Sequence, residues 1–341
     1  MAPRAFITGL EGLKIAPAER DFLRATDPWG LILFKRNIDN PTQVADLVRE
    51  FRKSVGRADA PVLIDQEGGR VQRMQPPHWP AYPPGKAYAS LYAGDASSAK
   101  AAARLGARLI ASDLAELGIT VDCLPLADVP IPGSHDVIGD RAYGDTVEQV
   151  AALARAVSDG LLDGGVLPVL KHIPGHGRAG SDSHKMLPVV DTDRATLEAT
   201  DFAAFRPLAD LPLAMTAHVV FTALDPLLPA TTSRIMIDQV IRGFIGFGGA
   251  LMSDDVSMEA LSGSIGARTA AALAAGCDLA LHCNGKLDEM KEVAANTQEL
   301  SGQALRRAEA ALAARTQPKA LDGAAARAEF ARVMGTAGAV A

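Results

Sequence analysis

Short apolar runs alternate with helical patterns along almost the whole chain. The runs at 61–64, 166–170 and 277–282 are apolar and have the length of buried strands. Between them, segments such as 41–55 carry apolar residues at a period near 3.6, which is typical of a helix with one buried face. Seven or eight strand–helix units without a long linker predict a parallel sheet covered by helices.

Two folds are built in this way, an open doubly wound sheet and a closed (β/α)8 barrel. The nucleotide-binding motif Gly-x-Gly-x-x-Gly, typical of the open sheet, does not follow any predicted strand. Polar residues instead stand at or just after the C-terminal ends of the strands, and in a barrel these ends share one face. They are Asp65, Asp128, Lys171, His172, His218, Asp254 and His282. We therefore predict an α/β fold of the TIM-type (β/α)8 barrel class.

The length of 341 residues fits a single catalytic barrel domain spanning 1–341. We expect the barrel core at about 5–284 and a helical extension, rich in Ala, Glu and Arg, at about 285–341. Hydrophobic residues make up 48% of the chain, which is enough to fill a large core.

Composition also limits the partners and the location of the protein. The net charge of −6 and the lack of Lys/Arg runs argue against nucleic-acid binding. The sequence shows neither a signal peptide nor an apolar run of about 18 residues, so no membrane association is expected. The three cysteines form no Cys-x-x-Cys motif and predict buried free thiols, as in a reducing compartment. The expected location is the cytoplasm.

The densest group of titratable residues follows the strand at 166–170. Residues 171–188 read Lys-His-Ile-Pro-Gly-His-Gly-Arg-Ala-Gly-Ser-Asp-Ser-His-Lys-Met-Leu-Pro. Asp182 and His184 would share one side of an extended segment, where the carboxylate stabilises an imidazolium and brings proton transfer near neutral pH. The glycines predict a mobile loop that carries this pair over a bound substrate. His176, between two glycines, is expected to fold inward.

Asp254 directly follows Ser253 at the end of the apolar run 249–252 and should stand at the rim of a buried strand. There it could act as a nucleophile, as a metal ligand or as an anion paired with arginine, and Asp255 is an alternative one position away. Lys171 and His172 close another strand and could donate hydrogen bonds to the hydroxyls of a polyol.

Two further segments contribute polar groups to the predicted rim. Arg141 and Asp65 extend the set of donors and acceptors that sugar recognition requires. Glu67 and Arg70 are expected to form a salt bridge that braces the turn at Asp65.

These segments are similar to those of glycoside hydrolase family 3, and within it to the bacterial cytoplasmic β-N-acetylglucosaminidases (β-hexosaminidases) of peptidoglycan recycling. The resemblance extends over about residues 6–284. The block Lys-His-x-Pro-Gly-His-Gly with Asp-Ser-His is its most specific part. The segments that carry it are 64–73, 138–141, 171–177, 182–184 and 253–259.

The resemblance implies a retaining exo-β-N-acetylglucosaminidase that acts by double displacement through a covalent glycosyl-enzyme. It implies that Asp254 is the nucleophile and that His184, oriented by Asp182, is the acid/base. The residues implied to bind the terminal N-acetylglucosamine are Asp65, Arg141, Lys171 and His172. The implied substrates are cell-wall muropeptides of the GlcNAc-anhydroMurNAc type, and neither a cofactor nor a metal is expected.

Three other functions stay open at this point. An imidazole acid/base repels anions less than a carboxylate does, so phosphate could replace water and make the enzyme a glycoside phosphorylase. A barrel metallohydrolase could use common metal ligands, here His172, His176, Asp182 and His184. A non-catalytic sugar-binding barrel would bind without turnover.

Overall fold

Eight parallel strands close into a barrel in the computed structural model, which describes residues 2–183 and 186–335. The strands pair in chain order, and the last pairs with the first. They are β1 (Arg4–Thr8), β2 (Pro28–Leu33), β3 (Val62–Ile64), β4 (Val121–Asp122), β5 (Leu167–Ile173), β6 (Leu213–Thr216), β7 (Ala250–Asp255) and β8 (Leu279–His282). The predicted (β/α)8 barrel is confirmed.

Helices cover the outside of the barrel and alternate with its strands. The α-helices are α1 (Pro17–Thr26), α2 (Pro41–Val55), α3 (Gly85–Gly94), α4 (Ala96–Glu116), α5 (Val147–Asp163), α6 (Arg194–Ala199), α7 (Ile265–Ala275), α8 (Leu287–Ala295), α9 (Gly302–Ala313) and α10 (Gly323–Met334). Shorter helical segments are the 3-10 helices Lys35–Asn37, Gly139–Arg141 and Ala203–Leu208 and the π-helix Met236–Phe244. Of the helices in the described part of the chain, none is long and apolar enough to cross a membrane.

Helix α2 illustrates how the sequence determines the ends and the buried face of an element. The Asn40 side chain accepts a hydrogen bond from the backbone N–H of Gln43, and Pro41 is the first helical residue. Gly56 ends the helix with a φ of 69°, a left-handed conformation that glycine adopts without strain. The face turned to the barrel is buried and consists of Val44, Leu47, Val48, Phe51 and Ser54.

Apolar side chains fill the barrel interior. Members of this cluster include Ile7, Ile32, Leu63, Val121, Val169 and Met252. Two further apolar clusters lie between the strands and the helices. Because the interior is packed rather than open, a ligand cannot bind inside the barrel. A site of polar side chains is therefore expected at the C-terminal rim of the strands.

Some elements differ from those that the sequence predicts. The helical residues between β5 and β6 do not form one continuous helix: they are divided into α6 and the 3-10 helix Ala203–Leu208, which contains Pro207 and so lacks one backbone donor. The apolar run after α4 pairs in the barrel over Val121–Asp122 and again at Leu126, which forms a parallel bridge with Lys171, and Pro125 interrupts it between these points. Helices α1 and α3 were not predicted.

Two pairs of short strands lie outside the barrel. Gln66–Gly68 pairs with Val71–Gln72 directly after β3, and Val189–Val190 pairs with Val220–Phe221. The first pair forms part of the rim after β3. The second pair joins the segment that follows β5 to the segment that follows β6, so both frame the C-terminal face of the barrel.

Candidate active site

A cavity of about 600 Å³ opens at the C-terminal ends of the strands. Its wall holds most of the site residues predicted from the sequence, which are Asp65, Arg141, Lys171, His172, Asp182 and Asp254. His184, the implied acid/base, lies outside the described residues. The fold therefore brings together side chains from β3, β5, β7 and two intervening loops, as the strand-end pattern predicted.

Lys171 is the centre of a buried network of charges in this cavity. Its Nζ lies 2.9 Å from Asp65 Oδ1 and 2.7 Å from Glu67 Oε1. Arg141 donates two hydrogen bonds to Glu67, from Nε to Oε2 at 2.8 Å and from Nη2 to Oε1 at 2.7 Å. Arg73 donates from Nη2 to Asp65 Oδ2 at 2.9 Å. Three cations and two carboxylates thus fix one another in position.

These contacts determine the ionisation of the network. Burial disfavours the charged carboxylates, but Lys171 and Arg73 outweigh it and hold the pKa of Asp65 well below its ordinary value. For Glu67, Arg141 and Lys171 likewise overcome burial and lower the pKa to about 2. The pKa of Lys171 is raised because its two carboxylate partners outweigh the desolvation of its ammonium group. All five groups are therefore charged at neutral pH.

Asp128 orients His172 from behind the cavity wall. Its Oδ2 lies 2.7 Å from His172 Nδ1, and its Oδ1 accepts the backbone N–H of His176 at 2.6 Å. Asp128 is fully buried, yet the interaction with His172 keeps the pKa of this carboxyl below its ordinary value. A proton on Nδ1 of His172 satisfies this contact, which makes Nε2 the ring nitrogen available to a ligand.

His176 is buried, as its position between two glycines predicted. Its Nε2 lies 3.1 Å from Ser183 Oγ, in the loop that precedes His184. Burial and the neighbouring His172 lower the pKa of His176 to about 4, so the ring is neutral at physiological pH. His176 therefore links the end of β5 to the loop that carries Asp182.

Asp254 and Asp255 have different surroundings, although they are adjacent in β7. Asp255 Oδ1 accepts the backbone N–H of Ser257 at 3.0 Å and that of Cys283 at 3.1 Å, and its Oδ2 accepts the Ser257 hydroxyl at 2.6 Å. Asp254 is half-buried and its Oδ1 accepts the backbone N–H of Asp255 at 2.8 Å. The backbone N–H of Asp254 itself points to Thr216 Oγ1 at 3.3 Å. Asp255 is thus held within the turn after β7 and is bonded to the backbone just after β8.

The loop after β5 brings Asp182 to the cavity wall. Arg178 anchors the first part of this loop through an ion pair with Asp201 at 2.9 Å. The backbone carbonyl of Asp182 accepts the N–H of Met186 at 3.1 Å. The predicted mobility of the loop stays a prediction.

Two of the histidines at strand ends do not line the cavity. His218 Nδ1 lies 2.7 Å from Thr231 Oγ1, and its Nε2 lies 3.0 Å from the carbonyl oxygen of Asp255. His282 is fully buried and its Nε2 lies 3.3 Å from Glu289 Oε2. These rings brace the rim rather than face a ligand.

The prediction that Glu67 pairs with Arg70 is wrong. Glu67 turns into the buried network, whereas Arg70 lies near the surface, 2.8 Å from Asp140. The backbone is extended at 66–68, and alternate residues of an extended segment share one side. The spacing from Asp65 was therefore the sequence signal that could have placed Glu67 in the site.

Comparison with known proteins is consistent with this geometry. Residues 6–313 match the N-terminal domain of glycosyl hydrolase family 3. A β-hexosaminidase of Alkalilimnicola ehrlichii is 40% identical over 280 residues, covering 81% of this chain and 79% of the relative. The crystal structure of NagZ from Neisseria gonorrhoeae superposes with a TM-score of 0.85 at 31% identity, covering 98% of this chain and 97% of that one. A complex of the same Neisseria protein with N-trifluoroacetyl-D-glucosamine superposes with a TM-score of 0.86, at the same identity and coverage.

The barrel and the charged cavity at its C-terminal rim are those of a glycoside hydrolase. The chain belongs to glycosyl hydrolase family 3. Its similarity to β-hexosaminidases extends over most of both sequences, which confirms the family and the enzyme class predicted from the motifs.

Proposed function

We propose that the protein is a retaining exo-β-N-acetylglucosaminidase, with Asp254 as nucleophile and His184 as acid/base. The observation that supports this most strongly is the shared cavity of Asp254 and the network centred on Lys171. Cleavage of a glycoside requires a carboxylate near the anomeric carbon and fixed polar groups that hold the sugar ring. Asp254 and the network around Lys171 fit these two requirements. Binding of a glucosamine derivative by the structurally similar Neisseria protein also supports the proposal.

Asp65, Arg141, Lys171 and His172 bind the terminal sugar in this proposal. Lys171 has three N–H donors, of which Asp65 and Glu67 take two, so one is available for a hydroxyl. Arg141 uses three of its five donors on Glu67 and the carbonyl of Val137. His172 contacts Asp128 through Nδ1, so its Nε2 is the nitrogen that can bind the sugar. Because these groups are held by protein partners before substrate arrives, little ordering is required on binding.

In the first step, a carboxylate oxygen of Asp254 attacks the anomeric carbon while the bond from that carbon to the leaving oxygen breaks. His184, as imidazolium, transfers its proton to the leaving oxygen, and Asp182 stabilises the charged ring. The product is an α-linked glycosyl-enzyme. Use of histidine in place of the usual second carboxyl group departs from the general scheme for retaining glycosidases.

In the second step, His184 takes a proton from water as the water oxygen attacks the anomeric carbon. The bond to Asp254 breaks and restores the carboxylate. Two displacements at the same carbon give net retention of the β configuration.

The proposed substrates are cell-wall muropeptides of the GlcNAc-anhydroMurNAc type, acted on in the cytoplasm during peptidoglycan recycling. The family resemblance of the motifs supports the substrate. The cysteines Cys123, Cys277 and Cys283 are free and buried, which is usual in a reducing compartment and supports the location.

Turnover of 4-nitrophenyl N-acetyl-β-D-glucosaminide tests the function. We expect release of N-acetylglucosamine, first as the β-anomer by NMR. Asp254→Ala should lower kcat by at least about 10³-fold, since the loss of a nucleophile removes the covalent route. His184→Ala should lower it by about 10²–10⁴-fold. Initial release of the α-anomer, or near-normal turnover by Asp254→Ala, would contradict the proposal.

The same assay separates the other candidate functions. A phosphorylase would form N-acetylglucosamine 1-phosphate when phosphate is added, and a sugar-binding protein would release nothing. A metallohydrolase would lose activity with a chelator. Within residues 2–183 and 186–335, no three His, Cys, Asp or Glu side chains are grouped so that they could hold a metal ion.

A further inference from the structure

The helical extension predicted from the sequence includes α10 (Gly323–Met334), which packs against the outside of the barrel. None of the described residues of α10 lines the cavity. The helix contacts α4 and the short stretch of chain before α3, at residues 82–85. That stretch, called here the pre-α3 loop, lies between α10 and the charged network of the cavity.

Arg327 of α10 joins Tyr82 and Asp113 in a largely buried polar cluster. Tyr82 Oη donates to Asp113 Oδ2 at 2.6 Å, and Arg327 Nη1 donates to Tyr82 Oη at 3.1 Å. The Nη2 group of the same arginine is paired with Asp113 Oδ1. Tyr82 is 5% exposed and Asp113 is 8% exposed. Loss of the guanidinium would therefore leave a buried carboxylate without its cation.

Phe330, one turn further along α10, contacts the Tyr82 ring as well. The centres of the two rings lie 6.4 Å apart, and Phe330 is buried. The Phe330 ring also fills the space beside Gly106 of α4, where an added Cβ would lie 2.8 Å from Cε2 of the ring. Helix α10 thus holds Tyr82 through one polar contact and one apolar contact.

The backbone of the pre-α3 loop lies against the turn that directly follows Glu67. The carbonyl of Tyr82 accepts the N–H of Gly69 at 2.8 Å. The two chains are so close that a Cβ at Gly68 would overlap the carbonyl oxygen of Pro83. A shift of the loop would therefore displace the residues next to Glu67.

The other end of the pre-α3 loop lies against the backbone of Arg141. A Cβ at Gly85 would overlap the carbonyl oxygen of Arg141 and would lie 2.9 Å from that of Ala142. Arg141 and Glu67 form the bidentate pair of the charged network. The loop thus contacts the chain at both partners of this pair.

We propose that Arg327 and Phe330 position the Glu67–Arg141 pair for sugar binding, acting through the pre-α3 loop. Helix α10 fixes Tyr82, and the loop in turn holds the backbone on both sides of the pair. The N–H groups of Arg141 that Glu67 does not use are thereby kept at the place where the sugar binds. The inference rests on the proposed function, because only that function makes Arg141 a sugar ligand.

Arg327→Met in the full-length enzyme tests this role with 4-nitrophenyl N-acetyl-β-D-glucosaminide. Methionine keeps much of the apolar length but removes both contacts of the guanidinium. We expect KM, and the inhibition constant Ki of free N-acetylglucosamine, to rise about 3–10-fold, as for the loss of one hydrogen bond to the sugar. The value of kcat should change by less than about 2-fold, because binding is lost and not a proton transfer. Each assay is run well below the Tm of the variant.

Arg332→Met is the matched control, because Arg332 is an exposed arginine of the same helix, paired with Glu329. It should keep the wild-type KM and Ki. Arg327→Lys should restore part of the wild-type Ki, since a lysine can still pair with Asp113. If Arg327→Met does not fold, Tyr82→Phe replaces it, because it removes only the hydroxyl group and should raise the same Ki.

A double-mutant cycle separates positioning from general stabilisation of the fold. Glu67→Gln weakens the pair by itself, so Arg327→Met should raise Ki less in that background than in the wild type. A helix that only stabilises the fold would produce the same factor in both backgrounds.

A lowered Tm with wild-type KM and Ki in Arg327→Met, or equal factors in the two backgrounds, would overturn the positioning role while the enzyme remains active. A wild-type protein that neither turns over the nitrophenyl substrate nor binds N-acetylglucosamine would overturn the proposed function, and the positioning role with it.

Discussion

Lys171 Nζ lies 2.7 Å from Glu67 Oε1, and the two side chains are only 2% and 4% exposed. An ammonium group buried without a partner would lose its proton more readily, but the pKa of Lys171 is raised. Asp65 and Glu67 therefore keep the lysine charged inside the cavity. Glu67 is as much a part of the site as the residues that the motifs pointed to.

Glu67→Gln should make the free energy of unfolding less dependent on pH in the acid range. The unfolded protein protonates this carboxyl near 4.5, whereas the folded protein keeps it ionised down to about 2. As pH falls below 4.5 the unfolded state binds more protons, so the folded state loses stability. Between pH 5 and pH 3 the wild type should lose about 2 kcal/mol more of its unfolding free energy than the variant does.

Urea unfolding at several pH values measures this difference. Glu116→Gln, which removes an exposed carboxylate from α4, serves as the control and should follow the wild type. Equal pH dependence in Glu67→Gln and the wild type would mean that Glu67 is not held ionised by Lys171 and Arg141.

Asp128→Asn should lower catalytic efficiency indirectly, because Asp128 orients the His172 ring. The substitution removes the negative charge that fixes Nδ1–H of His172, a charge-assisted contact at 2.7 Å. We expect kcat/KM to fall by about 10-fold. In a His172→Ala background the same substitution should have little further effect on kcat/KM, because the ring it orients is gone.

The double-mutant cycle distinguishes orientation from general loss of structure. Asp128 also accepts the backbone N–H of His176, so the Tm of both Asp128→Asn proteins should fall. Additive effects of the two substitutions on kcat/KM would show that Asp128 does not act through His172.

Gly160→Ala should destabilise the barrel where α5 crosses α4. A Cβ at position 160 would overlap the backbone carbonyl oxygen of Arg104, which cannot move without shifting the helix. We expect a loss of about 1–3 kcal/mol in unfolding free energy, measured by urea denaturation. Gly94→Ala is the control, because a Cβ there has no neighbour within 4 Å. That variant should be as stable as the wild type or more so, and similar losses in both would refute the packing explanation.

Asp255→Asn should lower stability while leaving substantial turnover. Its carboxylate accepts hydrogen bonds from Ser257 and from the backbone N–H of Cys283, and the amide can satisfy only part of them. A loss of about 1–2 kcal/mol is expected. Asp254→Asn should show the reverse, with normal Tm and almost no turnover of the nitrophenyl substrate. If Asp255→Asn is the inactive one, the nucleophile is misassigned.

The period of the apolar residues was sufficient to predict a parallel sheet covered by helices, because each strand is buried and each helix has one apolar face. The choice of a closed barrel over an open sheet came from the polar residues at the strand ends. The period could not predict α1 or the break after α6, where short segments are stabilised by contacts with the rest of the fold. Of the polar residues at strand ends, Asp65, Lys171, His172 and Asp254 line the cavity as predicted. The strand-end positions did not distinguish residues that face the cavity, such as Lys171, from those that turn behind it, such as Asp128 and His282, since this depends on side-chain contacts across strands.

The partners of charged residues were harder to predict than their positions. Glu67 pairs with Lys171, which is distant in sequence, rather than with its neighbour Arg70. Arg73 lies in the segment 64–73 that carries the family resemblance, but its ion pair with Asp65 was not predicted, because it depends on side-chain contacts across the rim. Long-range contacts of this kind are not encoded in local spacing.

Trapping of the covalent intermediate is the sharpest test of Asp254 as the nucleophile. A slow 2-deoxy-2-fluoro-type glycoside with a good leaving group should label the protein with one sugar, detected by mass spectrometry. After proteolysis, we expect the sugar on Asp254 and on no other residue. Attachment to Asp255 or to any other side chain, or turnover with no labelled protein at all, would contradict this assignment.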